Sequence, residues 1–329
     1  EKRLNSKKYN CLIISDGTEG MENQSIALAT SLGFKPNILN VKPFWLCRLF
    51  PTFLAGRFKI PLSNNDKILR SKNSKILITC GRRMAGISIG LKRIYQKNYK
   101  KIFTIHIQNP NITSTYFDFL VVPKHDNLTG KNVIVSEGSL HLVDEKRIKI
   151  AYDKLNIKYL KGLKEHIVVL IGGNTKTQKL SDEYANKFIN EINRIQKIFK
   201  TKIILCPSRR TPDFLLKYFK EKKIKNTIIV EKEDSNENPY PGIIYNSKFI
   251  ITTTDSINLL SESIGSGKAV FVFDLFKPVK RKLLFVKNLL SKDKIRYTYL
   301  IDSSKFVFKG LKSINEAEKI GRLIKKRIK

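Results

Sequence analysis

The sequence predicts an α/β protein with two Rossmann-like domains facing a cleft. Short apolar runs rich in β-branched residues alternate with segments of helical period, a pattern typical of parallel sheets flanked by helices. The chain has 329 residues, which is enough for two domains that each bury a core. Because the periodicity weakens over residues 135–165, we place the boundary near 155. The predicted domains are therefore 1–155 and 156–329, the second with a closing C-terminal helix.

Each half is predicted to contain strands separated by helices. The strands are nearly continuous apolar runs, as expected where both faces of a sheet are covered. In the N-terminal half, strands are expected at 11–15, 75–80, 101–107 and 117–122, and helices at 22–32 and 82–96. In the C-terminal half, strands are expected at 166–171, 202–206, 227–230, 249–253 and 269–273, and helices at 182–200, 212–220 and 257–264.

The large net positive charge of the chain says little about its binding partners. Lys and Arg number 63 against 28 Asp and Glu, so the formal net charge is +35. Most of this charge comes from Lys in a chain that is also rich in Ile and Asn, which indicates compositional bias as much as function. No aromatic-rich RNA-binding motif or helix-turn-helix pattern accompanies it. We therefore expect no specific nucleic acid as a partner.

We expect a cytoplasmic protein that can lie peripherally on the inner face of a membrane. No window reaches the roughly 18 uninterrupted apolar residues of a spanning helix, and no secretory signal precedes the first strand. Four cysteines stand far apart without a Cys-x-x-Cys motif, which favours a reducing compartment. The histidines and cysteines lack metal-ligand spacing. We expect no metal and no covalently bound cofactor.

Two stretches depart from the alternating pattern. Residues 41–62 combine the single Trp with Phe, Leu and basic residues. This stretch is either a helix pair packed inside the domain or an interfacial surface that binds an anionic membrane. Residues 314–329 begin acidic and end basic, which suits the dipole of a solvated closing helix, with a membrane anchor as the alternative.

Polar residues follow the predicted strands, which is where open α/β sheets bind their ligands. In the N-terminal half, a Gly-containing turn and a helix start follow the first strand, and an Arg pair suited to phosphate or carboxylate follows the second. A simple tight turn is the alternative interpretation of the first loop. The candidates in this half are Asp16, Gly17, Glu19, Asn23, Gln24, Arg82, Arg83, Gln108, Asn109, His125 and Asp126.

The C-terminal half repeats this arrangement. Arg pairs and backbone amides can neutralise a diphosphate, and carboxylates can bind ribose hydroxyls, so a nucleotide sugar fits the set. Glu262 lies seven residues after Asp255, two helical turns along the same face, and is either a ribose ligand or a solvated carboxylate. The candidates in this half are Gly172, Gly173, Asn174, Ser208, Arg209, Arg210, Thr211, Thr254, Asp255, Ser256 and Glu262.

These loops together resemble the mitochondrial-fission-protein-like family, which has many bacterial members. The resemblance spans about residues 10–275 and depends on an ordered series of motifs. The most specific of these are the Ser-Arg-Arg-Thr-Pro run at 208–212, the Asn-Pro-Tyr run at 238–240 and the Asp255-Ser256 pair followed by Glu262. The other matching positions are Asp16-Gly17, Asn23-Gln24, Gly81-Arg82-Arg83, Gln108-Asn109-Pro110, Phe117-Asp118, His125-Asp126 and Gly172-Gly173-Asn174.

The resemblance implies a GT-B-like glycosyltransferase fold with the nucleotide on the C-terminal domain and the acceptor on the N-terminal domain. It adds Asn238 and Tyr240 to the nucleotide-side candidates. No His follows the first strand, where many inverting GT-B enzymes hold their base, so Asp16 or Glu19 would serve. A nucleotide-diphosphate sugar is the expected ligand. A non-catalytic adaptor on a membrane and a UDP-sugar epimerase are the alternatives, and the oligomeric state stays open.

Overall fold

The computed structural model describes residues 10–41, 74–97, 101–155, 163, 165–175, 178–230, 239–277, 279–302 and 315–328. The chain forms two compact units. Unit 1 comprises Glu1–His141 and Asn315–Lys329, and unit 2 comprises Leu142–Ile314. Unit 2 begins at Leu142, before the predicted boundary near 155, and the last helix packs within unit 1. The stretch at 42–62 lies outside the described residues.

A six-stranded sheet forms the centre of unit 1. Its order is β2-β1-β3-β4-β5-β6, and every neighbouring pair is parallel. The strands are β1 (Asn10–Ser15), β2 (Asn37–Asn40), β3 (Ser74–Cys80), β4 (Phe103–Ile107), β5 (Phe119–Pro123) and β6 (Val133–Ser136). A parallel sheet requires crossover connections, which explains the helices between the strands.

Among its described residues, unit 1 has the helices α1 (Glu19–Ser31), α2 (Arg82–Lys97) and, from the end of the chain, α9 (Glu316–Ile328). Helix α2 packs on the sheet through Met84 and Leu91, in one cluster with Leu12 and Leu77. Helix α9 packs on α1. A side chain at Gly321 of α9 would have its Cβ 3.0 Å from the Cβ of Ser31, so the close approach of the two helices requires glycine.

Basic side chains tie α9 to the rest of unit 1. The Nζ of Lys325 donates to the carbonyl of Ser31 at the end of α1 (3.0 Å), and Arg327 donates to the carbonyl of Lys131 (3.1 Å). At the start of the helix, Glu316 accepts from the backbone N–H of Glu137 (3.0 Å). Cations at a helix C-terminus and a carboxylate near its N-terminus also complement the helix dipole.

Unit 2 contains a second six-stranded parallel sheet, in the order β12-β11-β10-β7-β8-β9. Its strands are β7 (His166–Ile171), β8 (Lys202–Pro207), β9 (Thr227–Ile229), β10 (Ser247–Thr253), β11 (Val270–Phe273) and β12 (Arg296–Tyr297). Strand β7 is buried on both faces. Val169 belongs to one core cluster with Phe188, whereas Val168 belongs to another with Ile243.

Six helices of unit 2 lie within the described residues: α3 (Glu145–Lys154), α4 (Asp182–Phe199), α5 (Asp213–Lys222), α6 (Tyr240–Ile244), α7 (Ile257–Gly265) and α8 (Lys280–Ser291). Several begin at a capping side chain, which accepts from an otherwise unpaired N–H. Ser256 Oγ accepts from Leu259 N (3.4 Å) and Asp144 from Arg147 N (2.8 Å). The cap at Ser256 fixes the start of α7 beside the end of β10.

The predicted fold class, two Rossmann-like α/β sheets, is confirmed. The elements that the sequence did not predict include the edge strands β2, β6 and β12 and the helices α3 and α8. Strand β2 has an exposed pattern, and β12 has two residues, so neither produces an apolar run. The strand predicted at 117–122 begins at Phe119, which places Asp118 at the amino end of the sheet. There its carboxylate accepts from the N–H and hydroxyl of Thr104 (both 2.8 Å) and pairs with Lys92 (3.0 Å).

Candidate functional site

The loops after β7, β8 and β10 meet at the carboxyl end of the unit 2 sheet, because these strands are adjacent and parallel. The loop after β7, Gly172–Asn174 in sequence, lies between the other two. Each of its three N–H groups donates to the protein. Gly172 donates to Thr253 Oγ1 (2.8 Å), Gly173 to Asp255 Oδ2 (3.0 Å) and Asn174 to the carbonyl of Arg210 (2.9 Å). The sequence analysis assigned these amides to a diphosphate, whereas here they hold the loop.

Both glycines of this loop are required by close approach. A Cβ on Gly172 would lie 2.5 Å from the carboxyl carbon of Asp255. A Cβ on Gly173 would lie 2.6 Å from the backbone nitrogen of Thr211. Real Cβ atoms do not approach other atoms so closely, so any larger residue would push the loops after β8 and β10 away.

Asp255 links all three loops from a buried position. Its residue exposure is 5%, and its Oδ2 accepts from Gly173 N and pairs with Arg210 Nη2 (3.1 Å). Arg210 also approaches the carbonyls of Gly173 (3.4 Å) and Asn174 (3.5 Å). The Oδ1 atom of Asp255 is buried and has no hydrogen-bond partner among the described residues. A buried carboxylate needs compensation, and Arg210 supplies its charge.

Two hydroxyl groups of the loop after β8 hydrogen-bond to the loop after β7. Thr211 Oγ1 lies 2.6 Å from the carbonyl of Gly172, and Ser208 Oγ lies 3.1 Å from it. Ser208 N in turn donates to Thr211 Oγ1 (2.8 Å). Arg209, between them, is exposed. Ser208 and Thr211 are therefore framework residues, and the arginines are the groups of this run that face outward.

A hydrogen-bonded chain continues toward the edge of the sheet and includes two residues that the sequence analysis missed. Thr254 Oγ1 donates to Asp274 Oδ1 (2.5 Å), and the Tyr297 hydroxyl donates to Asp274 Oδ2 (3.2 Å). Burial and the Asp274 carboxylate raise the pKa of Tyr297 to about 12. Asp274 directly follows β11, so the strand-end rule would have found it. Tyr297 carries no such signal.

Glu262 lies in α7, on the helix that Ser256 caps. The hydroxyl of Tyr240, the first residue of α6, donates to Glu262 Oε2. Two candidates that are distant in sequence therefore meet, and the tyrosine orients the carboxylate. Asn238, the third residue of this set, lies outside the described residues.

In unit 1, the turn after β1 is held by its own side chains. Asp16 accepts from Thr18 N (3.0 Å) and pairs with Arg83 (3.5 Å), and Ser15 Oγ accepts from Gly17 N (3.0 Å). Gly17 has φ +78°, which favours glycine. Asp16, after β1, and Arg83, in the first turn of α2, are therefore brought together at the carboxyl end of this sheet.

The neighbouring candidates of unit 1 differ in exposure. Glu19, Asn23 and Arg82 are exposed near the starts of α1 and α2. Gln24 is buried, and its Nε2 donates to the carbonyl of Gly20 within α1 (3.2 Å). The side chain of Gln24 therefore serves its own helix.

Farther along this edge lie the residues that follow β4 and β5. Gln108 has φ +76° and donates from its N–H to the carbonyl of Val121 (2.8 Å), and Asn109 Oδ1 accepts from Asn111 N (2.8 Å). His125 Nε2 lies 3.8 Å from Asp126 Oδ1, and both side chains are buried, 7% and 4% exposed. This pair places an imidazole beside a carboxylate at a strand end.

No group of residues suited to a metal ion occurs among those the structure describes. Across the same ranges, no helix combines the length and hydropathy needed to cross a bilayer.

Two Rossmann-like parallel sheets, with polar clusters at their carboxyl ends, define a protein of the GT-B fold class. The sequence profile described as mitochondrial fission ELM1 matches residues 19–328, and the chain belongs to that family. An uncharacterized protein of Rickettsia prowazekii, RP120, is 28% identical, over 96% of this chain and 98% of its own length.

Solved structures support the fold assignment. The UDP-GlcNAc 2-epimerase of Neisseria meningitidis, solved with UDP-GlcNAc bound, superposes with a TM-score of 0.57 at 13% identity, over 97% of this chain and 99% of that one. The glycotransferase of kitacinnamycin superposes with a TM-score of 0.50 at 11% identity, over 98% and 99% of the two chains. At such identities these likenesses show the fold alone.

Proposed function

We propose that this protein binds a nucleoside-diphosphate sugar on unit 2 and transfers the sugar to an acceptor. The observation that carries the proposal is the Asp255 cluster, in which one buried carboxylate joins Gly173 and Arg210 at the carboxyl end of the sheet. Such a cluster has few uses in a solvated loop, since burying a charge there costs stability. This cost is offset where the buried carboxylate must hold an arginine in position to bind an anionic ligand.

The position of Glu262 supports a nucleoside rather than a simple phosphate. Its carboxylate is held by Tyr240 on a helix that starts directly after the Asp255 loop. A fixed carboxylate accepts two hydroxyl groups in a defined geometry, which is the chemistry of a ribose ring. The diphosphate would lie toward Arg209 and Arg210 and the ribose toward Glu262.

In the transfer reaction, an acceptor hydroxyl attacks the anomeric carbon, the bond from that carbon to the diphosphate oxygen breaks, and a base takes the hydroxyl proton. Unit 1 offers Asp16 and Glu19 as bases. Both oxygens of Asp16 contact protein groups that fix the loop after β1, and Glu19 lies at an exposed position at the start of α1. We assign Glu19 as the base and Asp16 with Arg83 as the structure that orients this loop. Gly17, Asn23, Arg82, Gln108, Asn109, His125 and Asp126 would line the acceptor side.

A UDP-sugar epimerase is the second candidate, favoured by the likeness to the epimerase structure that holds UDP-GlcNAc. An epimerase changes its donor with no acceptor present, whereas a transferase does not. Incubation of the protein with UDP-GlcNAc, followed by chromatography of the sugar nucleotide, separates the two activities.

Calorimetric titration with UDP, GDP and their sugars tests the proposed binding. We expect binding in the millimolar range or tighter, weakened about tenfold or more by Arg209→Ala and by Arg210→Ala, because each removes a charge-assisted hydrogen bond. Arg322→Ala, an exposed arginine of unit 1, is the matched control and should bind normally. No binding by the wild-type protein to any of these nucleotides would refute the proposal.

A further inference from the structure

Lys282 lies in the first turn of α8, in a part of the chain that the sequence analysis assigned to no site. Its side chain is half-buried, and within the described residues it makes no hydrogen bond and no ion pair. A partly buried ammonium that no anion contacts directly is unusual, because longer-range attraction replaces only part of the hydration that burial removes. The partial burial of this ammonium therefore needs an explanation, and an anionic ligand would provide one.

The segment that leads into α8 is tied to the Asp255 cluster on both sides. Asp274, which begins it, accepts from the hydroxyl of Thr254 beside Asp255 (2.5 Å). Lys277 accepts through its carbonyl from the side-chain amide of Gln178, in the loop after β7 (2.7 Å). These two bonds fix the start of α8 against the loops after β7 and β10.

Lys282 lies within electrostatic range of this cluster, since two of its charged residues act on the ammonium. Burial lowers the pKa of Lys282, the Asp255 carboxylate raises it, and the Arg210 guanidinium lowers it further. The net direction is downward, so the ammonium is under-compensated in the structure. An additional anion close to it would reverse that balance.

The charges of the cluster show why a further cation matters. Arg210 is paired with Asp255 at 3.1 Å, so these two groups contribute no net charge. The N–H groups of Gly172, Gly173 and Asn174 donate to protein acceptors. Arg209 is exposed, where water and salt screen its charge. A diphosphate bound here would carry several negative charges that the Arg210–Asp255 pair leaves unbalanced.

We propose that Lys282 is a diphosphate-binding residue, whose ammonium supplies the net positive charge that the neutral Arg210–Asp255 pair lacks. The inference rests on the proposed function and deepens it. If Lys282 binds the diphosphate, the site should prefer a nucleoside diphosphate to a nucleoside or a nucleoside monophosphate. Arg210 then contributes directed hydrogen bonds, and Lys282 contributes charge.

The test compares UDP with UMP, and GDP with GMP, by calorimetry on the full chain. Lys282→Gln should weaken binding of the diphosphate about tenfold or more and change binding of the monophosphate much less. It should also reduce the dependence of diphosphate affinity on salt, because one fewer screened charge pair forms. Lys282→Arg should retain most of the affinity. Lys287→Gln, exposed on the same helix, is the matched control and should bind as wild type does.

The outcomes separate this inference from the proposed function. If the wild-type protein binds UDP or GDP and Lys282→Gln binds it equally, the inference is wrong and the proposed function stands. If the wild-type protein binds neither UDP nor GDP, both are wrong. Thermal melting verifies that Lys282→Gln is folded, and Lys282→Met, which keeps the length of the stem, repeats the measurement if that variant is unstable.

Discussion

Several residues at the carboxyl end of the unit 2 sheet have a structural role that their sequence positions do not reveal. Asp255 looks like a ligand-binding carboxylate in the sequence, yet it is buried and holds Gly173 and Arg210 in place. Ser208 and Thr211 likewise hold the carbonyl of Gly172. Residues of one motif therefore divide into a framework and a smaller set that can touch a ligand.

Replacement of Gly173 by Ala tests this framework. The new Cβ would overlap backbone atoms of Arg210 and Thr211, so we expect a loss of about 1–3 kcal/mol in the free energy of unfolding and weaker nucleotide binding. Gly267→Asn is the control, because nothing lies within 4 Å of a Cβ there and Asn adopts its positive φ. Chemical denaturation gives both values, and equal stability of the two variants would contradict the close approach.

His106 provides a test of pH dependence. It is fully buried in β4, its Nδ1 lies 2.8 Å from Thr79 Oγ1, and burial lowers its pKa from 6.5 to about 3. Above pH 6.5 both the folded and the unfolded chain hold a neutral imidazole. As the pH falls from 6.5 toward 3, only the unfolded chain takes up the proton, so stability is lost across this window.

We expect His106 to add up to about 1.4 kcal/mol per pH unit to the acid loss of stability. His106→Asn, which keeps a polar partner for Thr79, should show a shallower dependence between pH 6.5 and 4. Urea denaturation at several pH values gives the free energy of unfolding of the wild-type protein and of the variant. The contributions of the other titrating groups cancel in the difference between the two values. Parallel slopes would show that His106 is not buried in its neutral form.

Among helices and strands, sequence reasoning succeeded where burial produces a local signal. Strand β7 is covered on both faces and appears in the sequence as an unbroken apolar run, so its bounds were predicted. Strand β2 and helix α8 were not, because an exposed edge strand lacks that run and α8 carries several lysines. Lys282 was missed for the same reason: nothing in a Lys-rich sequence distinguishes a half-buried lysine from a solvated one.

The strand-end rule predicted which loops meet at the carboxyl end of the unit 2 sheet but not how they are bonded. It located Asp255 and Arg210, whose ion pair depends on the registers of β7 against β10 and against β8. Those registers are a property of the folded sheet. The use of the Gly172, Gly173 and Asn174 amides inside the protein could likewise not be predicted from their composition.

Packing of α9 on α1 gives a prediction about these helices. Gly321→Val should destabilise unit 1 by about 1–3 kcal/mol, because its side chain has no room against Ser31. Arg322→Val, at an exposed position one residue later on the same helix, is the control without the clash; helix propensity alone would make it the more destabilising of the two, because Val is a better helix former than Gly and a poorer one than Arg. Denaturation curves should therefore show Gly321→Val to be the less stable variant, and coincident curves would contradict the packing.

At the scale of the whole molecule, the two Rossmann-like units account for the length of the chain. Only a few of its basic residues belong to the proposed ligand site. Of the net charge of +35, the proposed ligand site uses only Arg209, Arg210 and Lys282 in unit 2 and Arg82 in unit 1, whereas Arg83 pairs with Asp16. Lys325 and Arg327 have a structural use in fastening α9. Peripheral attachment to an anionic membrane stays a prediction, which flotation with anionic vesicles tests.

The most direct test of the central claim is a crystal structure of the protein with UDP or GDP bound. The account predicts a diphosphate within hydrogen-bond distance of Arg210 and Lys282, and ribose hydroxyls on the carboxylate of Glu262. A nucleotide bound elsewhere, or crystals soaked at saturating nucleotide in which the carboxyl end of the unit 2 sheet holds none, would contradict it.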